Sequence, residues 1–429
     1  MITDITRRKL LGLLGSSAVI AGTTSFPFSV KAGKSTTAHI VVVGGGFGGA
    51  TCVNYLHRFD PNLKITLIEP AKTFVTCPFS NKVIAGMQKI SSIQFNYTKL
   101  AAQPNVTVVH DTVIDIDTDS KKISLSAGKK LPYDSVVLSP GVSFRWGKIK
   151  NNDLASTAIF PHAWKAGEQT ILLAKQLQTM PDGGTFIISV PGGPFRAPPA
   201  PYERASLAAY YLKKNKPKSK ILILDSSDSF EEQALFQQAW NKLYPDMIEW
   251  VAGTAGGKIT RIDTKNKQVF AGSTAHKGDV INIIPPQQAG TIAIKAGLSN
   301  KNGWCEVKQP SFESMKARSV YVIGDACIAG DMKKLGHAAN SQAKICAASI
   351  VSSLHGITMP EPVYNSSVYS VLSPKYAISS ASVFRLKAGS ISIISGGLSE
   401  LKASKKTHRR EASFAKGWYK SITSEMFLG

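Results

Sequence analysis

The chain has 429 residues, 43% of them hydrophobic and 18% charged, with 51 Lys and Arg against 28 Asp and Glu for a formal charge of +23. That length exceeds one ordinary core and predicts two or three domains. The composition excludes a disordered chain and a bundle of membrane spans, and leaves the basic surplus to be explained.

Residues 1–34 read as an export segment. Arg7-Arg8-Lys9 precedes Leu10-Leu11-Gly12-Leu13-Leu14 and a small, apolar stretch to Gly22. The stretch is too short to span a bilayer, and its basic flank suits a signal. Paired arginines ahead of two leucines resemble the twin-arginine type, which serves proteins that load a cofactor before export. A periplasmic protein is expected. Every later apolar run is broken within roughly ten residues, so the mature chain has no expected transmembrane segment.

A short buried-strand pattern, His39 to Val43, runs without a gap into Gly44-Gly45-Gly46-Phe47-Gly48-Gly49, and a helix is read from Ala50 onward. Strand, G-x-G-x-x-G and helix together predict a dinucleotide site. Gly44 permits the tight turn, Gly46 lets the backbone approach a pyrophosphate, and Gly49 lets helix and strand pack closely. A second strand, Lys64 to Ile68, ends in Glu69, placed to take the hydroxyls of an adenosine ribose.

Further along, Val136-Val137-Leu138-Ser139-Pro140-Gly141 looks like a strand-to-glycine crossover leaving that domain. Gly184 to Val190 is a strand and Arg204 to Leu212 a helix, so the architecture repeats. Between them Pro191, Pro194, Pro198, Pro199 and Pro201 replace a tight glycine turn and remove backbone donors that a pyrophosphate needs. NAD(P)H is therefore not the expected substrate. Ser319 to Ala326 is a strand running into Gly324-Asp325. It resembles the second FAD motif of two-domain flavoprotein reductases, in which the Asp binds the ribityl chain. In that family a following helix, here from about His337 through Gln342 and Ile350, points its positive end at the flavin pyrimidine ring. FAD is the implied cofactor.

Longer segments resemble the flavoprotein subunit of flavocytochrome c sulfide dehydrogenase: Thr76-Cys77-Pro78-Phe79-Ser80-Asn81, Pro161 to Thr170, Pro201-Tyr202-Glu203-Arg204-Ala205-Ser206, Ile284-Pro285-Pro286-Gln287, Gly303-Trp304-Cys305 and Ala339-Asn340-Ser341-Gln342. The likeness runs to the C-terminal flavin-binding segment with Trp418-Tyr419. It implies that Cys77 carries FAD through a thioether to the flavin 8α carbon. It also implies a redox disulfide beside the flavin, yet Ala197 and Val368 occupy the two positions. Neither can offer the electrophilic sulfur that sulfide attacks. Of the other cysteines, Cys52, Cys305, Cys327 and Cys346, a Cys327–Cys346 pair is conceivable near the ribityl chain. Glu203 matches a family acid near the active site and is the candidate general acid or base; as a charge opening a helix it would equally suit the helix dipole. Arg196 could orient an anionic substrate or be a solvated loop arginine.

The expected architecture is α/β, a two-dinucleotide-domain flavoprotein reductase fold. A Rossmann-like FAD domain (38–155 and 291–360) is split by an inserted second Rossmann-like domain (156–290) without an intact NAD site. A C-terminal α+β cap (361–429) covers the flavin and offers a partner surface. The basic runs Lys213 to Lys218 and Lys402 to Arg410 read as solvated faces. No nucleic-acid motif accompanies them, so no nucleic-acid partner is expected. A positive surface could instead steer an acidic c-type cytochrome. The implied function is passage of electrons from a small reduced donor, such as a sulfur compound, through FAD to a c-type cytochrome, either a subunit or a soluble one. A flavin-binding or assembly protein without substrate chemistry, and a sulfide:quinone reductase, are the alternatives. No metal site is expected.

Overall fold

The computed structural model describes residues 37–427, so the export segment at 1–34 and its Arg7-Arg8 pair lie outside the described residues. The chain enters on strand β1 (His39–Val43), with Ile40 to Val43 buried. An unbroken β-branched run of this kind suits a parallel strand covered on both faces. Helix α1 (Phe47–Phe59) has Gly46 as its N-cap, so it begins three residues before the expected Ala50 because the glycine turn feeds straight into it. Next come β2 (Lys64–Ile68), the short helix α2 (Ser80–Ile84), β3 (Val106–Val109) and β4 (Ser135–Leu138).

The chain then leaves for a second parallel sheet made of β5 (Thr185–Val190), β6 (Lys220–Asp225), β7 (Ile248–Val251) and β8 (Val280–Ile283), in the order β7-β6-β5-β8. Helix α3 (Ala200–Asn215) connects β5 to β6 and extends past the expected 204–212 at both ends. Proline is tolerated in its first turn, where N–H groups lack partners in any case.

On return the chain forms β9 (Cys305–Glu306), β10 (Val320–Val322), β11 (Cys327–Ile328) and α4 (Gly336–His355). Strand β10 completes the first sheet, β10-β4-β1-β2-β3, all parallel. An antiparallel sheet follows, β12 (Val363–Ser373), β13 (Tyr376–Lys387) and β14 (Ser390–Leu398), and then helix α5 (Lys405–Phe427). The end of α5 is tied to α1 and α4. Asn54 donates its amide to the carbonyls of Glu425 and Met426, and Asn340 bridges Thr51 Oγ1 to the Glu425 carboxylate.

Register places the site. Val43 pairs with both Ile68 and Leu138, and Leu138 pairs with Val322. Gly44, Glu69, Ser139 and Gly324 therefore leave the first sheet at one edge, the carboxyl end of its strands. The strand order also reverses there, with β2 on one side of β1 and β4 on the other, which is where open α/β sheets form a ligand crevice.

One surface expectation needs correction. Lys216, within the basic run 213–218, is buried and donates to the carbonyls of Leu177 and Gln178 at 2.8 and 2.5 Å. Those carbonyls close the helix Glu168–Thr179, whose negative end suits a cation. Among the described residues no helix is long and apolar enough to cross a membrane.

Candidate functional site

A cavity of about 770 Å³ opens at that edge of the first sheet, within the size range of cofactor pockets. One end is the glycine turn. Gly44 has φ +96°, a conformation only glycine adopts cheaply. A methyl group on Gly49 would lie 1.7 Å from the Gly44 carbonyl oxygen. Gly46 lines the cavity, and α1 begins without a side-chain cap or an acidic residue in its first turn. Its free N–H groups suit an anion. The Glu69 carboxylate lies beside the turn and accepts N–H bonds from Gly45 at 2.8 Å and Ala71 at 3.0 Å.

Further in, Gly324 donates its N–H to Gln342 Oε1 at 2.7 Å, and Asp325 lines the cavity with its Oδ1 buried and without a partner among the described residues. Burial raises its carboxyl above the ordinary range. A buried, unpaired oxygen is costly, and a hydroxyl-bearing ligand satisfies it. The indole N–H of Trp418, also at the cavity, is a second buried group without an acceptor among the described residues. Anion donors at one end and an orphan acceptor and donor deeper in fit a flavin dinucleotide.

The proline-rich loop after β5 does not close over its own sheet. Ala197 donates its N–H to the Lys334 carbonyl at 2.8 Å, and the Arg196 N–H goes to Gln287 Oε1 at 3.0 Å. The loop is thereby pinned against the first sheet's crevice. The Arg196 guanidinium donates to the Trp164 carbonyl, and the Cys77 thiol reaches the same oxygen at 3.4 Å. Cys77, Arg196, Ala197, Glu203 and Val368 all line this one cavity, so the two positions without sulfur face the same space as Cys77.

Glu203 sits in the first turn of α3. One carboxylate oxygen accepts the Val371 N–H at 2.9 Å and the other the Asn81 amide at 2.8 Å. Burial nevertheless raises its carboxyl above the ordinary range, partly opposed by these bonds and by Lys82. Burial likewise pushes the Lys82 ammonium down to about 8. Burial thus shifts both groups toward each other, the carboxyl upward and the ammonium downward. Asn81 also accepts from Arg204 at 3.1 Å, and Arg204 is otherwise spent on Asn282 Oδ1 and the carbonyls of His162 and Ala163. Asn81 thus separates a carboxylate from a buried guanidinium.

The cysteines correct one expectation. Cys327 faces Cys305 in register across β9 and β11, and Cys346 is hydrogen-bonded to Cys52. A Cys327–Cys346 pair does not form, because the two residues lie on different packing partners. All five cysteines are free. Burial pushes the thiols of Cys305 and Cys327 up to about 11 and 12, so neither is a ready nucleophile. Lys82, Asn81, Trp164, Lys334 and His337 were not singled out as site residues from sequence. Asn81 lay within the Thr76–Asn81 segment, and Arg204 could have been noticed as a charge on the apolar face of its helix.

Three family profiles cover most of the chain. "Sulfide dehydrogenase (flavocytochrome c) flavoprotein chain, central" matches residues 170–285. "Flavocytochrome c sulphide dehydrogenase, flavin-binding" matches 360–427, and "Pyridine nucleotide-disulphide oxidoreductase" matches 38–167. A sulfide dehydrogenase flavoprotein chain of flavocytochrome c from Chlorobaculum thiosulfatiphilum is 60% identical over 47 residues, 11% of this chain and 98% of that relative. The sulfide-quinone reductase of Aquifex aeolicus is 29% identical over 185 residues, 43% of this chain and 41% of its own length. The solved structure of the sulfide:quinone oxidoreductase from Aquifex aeolicus superposes with a TM-score of 0.71 at 19% identity, covering 90% of this chain and 92% of that one. The fold is therefore that of the two-dinucleotide-binding flavoprotein reductases.

Proposed function

The chain belongs to the family of flavocytochrome c sulfide dehydrogenase flavoproteins, and from that membership we propose that it is an FAD-dependent oxidoreductase that passes electrons from a small reduced donor to a c-type cytochrome. The observation that carries this reading is the single cavity at the carboxyl edge of the first sheet, which joins the glycine turn, Asp325 and Cys77. Bound there, FAD supplies two-electron uptake and one-electron release. The N–H groups at the start of α1, with Gly44, Gly46 and Gly49, hold the pyrophosphate; Glu69 takes the ribose hydroxyls and Asp325 the ribityl chain. Cys77 is the proposed covalent attachment point. Glu203, whose carboxyl burial raises above the ordinary range, accepts or returns the proton that accompanies donor oxidation. Residues 1–34 direct the protein to the periplasm.

Ala197 and Val368 make the donor chemistry different from persulfide formation on a disulfide. The same two residues favour a second reading, a flavin-binding partner protein that no longer oxidises a substrate. An anaerobic screen of flavin bleaching tests both. NADH and NADPH are expected to leave the flavin oxidised, and sulfide to bleach it slowly or not at all. A donor that does bleach it should act about 10²- to 10⁴-fold more slowly on Glu203→Gln. Fast bleaching by NADH contradicts the assignment, and failure of every sulfide, polysulfide and thiol donor favours the second reading.

A further inference from the structure

Part of the cavity wall is basic. Lys165 and Arg196 both line it, in the space shared with Ala197 and Cys77. Among the described residues neither makes an ion pair with a carboxylate. The Arg196 guanidinium is anchored on the Trp164 carbonyl. The Lys165 ammonium has no hydrogen-bond partner there and stands 5.4 Å from the centre of the Phe144 ring. Trp164 also lines the cavity. It is 3% exposed, and its indole N–H is buried without an acceptor among the described residues. A buried donor left unpaired is costly, so this one calls for an acceptor from outside the chain.

The electrostatics agree with the geometry. Loss of water, then the neighbouring Arg196 guanidinium, lowers the Lys165 ammonium below its ordinary range, partly opposed by Cys77, and no carboxylate is among the groups that act on it. Of the cavity's carboxyls, Glu203 is committed to the Val371 N–H and the Asn81 amide, and Asp325 feels Arg196 without pairing with it. The backbone that carries the two cations is fixed. Ala163 and Ala197 have φ of +43° and +52°, a region that side chains rarely adopt. Arg204 donates to the Ala163 carbonyl and the Lys334 carbonyl accepts the Ala197 N–H, so both turns are held from outside.

We propose that Lys165, Arg196 and the Trp164 indole form an anion subsite whose ligand is a small, doubly charged oxyanion. The inference deepens the oxidoreductase reading above, and rests on it, by narrowing the class of small molecule admitted beside the cofactor. Two cations match two negative charges, and a guanidinium fork and an indole N–H both need oxygen acceptors. Hydrosulfide supplies one charge and no oxygen. With alanine and valine at positions 197 and 368 the ligand is held by these donors alone, without a bond to sulfur. The cofactor's own phosphates have a separate cradle, the glycine turn and the start of α1.

The test is calorimetric titration of the mature, flavin-loaded protein with sulfate, a redox-inert oxyanion, at constant ionic strength, with flavin content measured alongside. Wild type should bind one sulfate per flavin. Arg196→Met, Lys165→Met and Trp164→Phe should each keep flavin and weaken sulfate binding about 10- to 100-fold. Lys402→Met, at an exposed position of the cap, should leave it unchanged. Should Arg196→Met not fold, the Lys165 and Trp164 variants decide the matter by the same criterion. No sulfate binding by wild type overturns the proposal, as does wild-type affinity in the three variants. Loss of flavin from the Arg196 and Lys165 variants with sulfate affinity intact overturns it too, because the cations would then serve the cofactor. Absence of flavin from the wild-type protein would instead overturn the reading on which the proposal rests.

Discussion

Cys77 is the proposed attachment point, and retention of the cofactor tests it. Its thiol lines the cavity and sits against the Trp164 carbonyl that also anchors Arg196. A covalent link there should keep the flavin with the protein after acid precipitation, and Cys77→Ala should release it to the supernatant while the folded protein still binds it. Complete release from the wild-type mature protein would contradict the attachment. Cys77, Glu203 and the two positions without sulfur were singled out in the sequence because long flanking segments carry them, and the structure brings all four to one cavity. The Glu203–Asn81–Arg204 arrangement and the joining of Arg196 to Trp164 were not. Each depends on a partner from a distant segment, which no local pattern announces. The conceivable Cys327–Cys346 pair does not form, and Cys327 instead faces Cys305 in register across β9 and β11.

At the scale of elements, the β1–turn–α1 unit was the most readable part of the chain, since strand period, glycine spacing and the acid at Glu69 all agree. What the sequence did not show is how tightly the unit closes. A methyl group at position 49 would stand 1.7 Å from the Gly44 carbonyl oxygen, so the helix could not keep its place. Gly49→Ala should lower stability by about 1–3 kcal/mol, the usual cost of forcing volume into a packed site, and should lose flavin. A melt and a flavin titration check both, and a variant with wild-type stability and affinity would contradict this closure. The destination of the proline-rich loop was hidden from the sequence. The Ala197 and Arg196 backbone bonds carry it across to the first sheet's crevice, where it walls the cavity instead of closing one of its own.

For the whole molecule, the sequence placed two parallel sheets and a C-terminal cap, and the described residues contain them. It did not place the cap's last helix against α1 and α4, an arrangement set by Asn54, Asn340 and Glu425. The proposed export route depends on Arg7 and Arg8. Replacing both with Lys should leave precursor in the cytoplasm, because the paired guanidinium groups are what the route reads; unchanged export in a fractionation experiment would remove it. The proposed acceptor depends on the surface rather than the cavity. A chain of +23 formal charge should meet an acidic haem protein quickly at low salt and more slowly as salt rises. The most direct measurement is anaerobic: the bound flavin is photoreduced and mixed with an oxidised, acidic c-type cytochrome in a stopped-flow spectrometer. Rapid haem reduction at two haems per flavin, slowed by added salt, is the predicted result. A flavin that stays reduced while the haem stays oxidised would contradict the account.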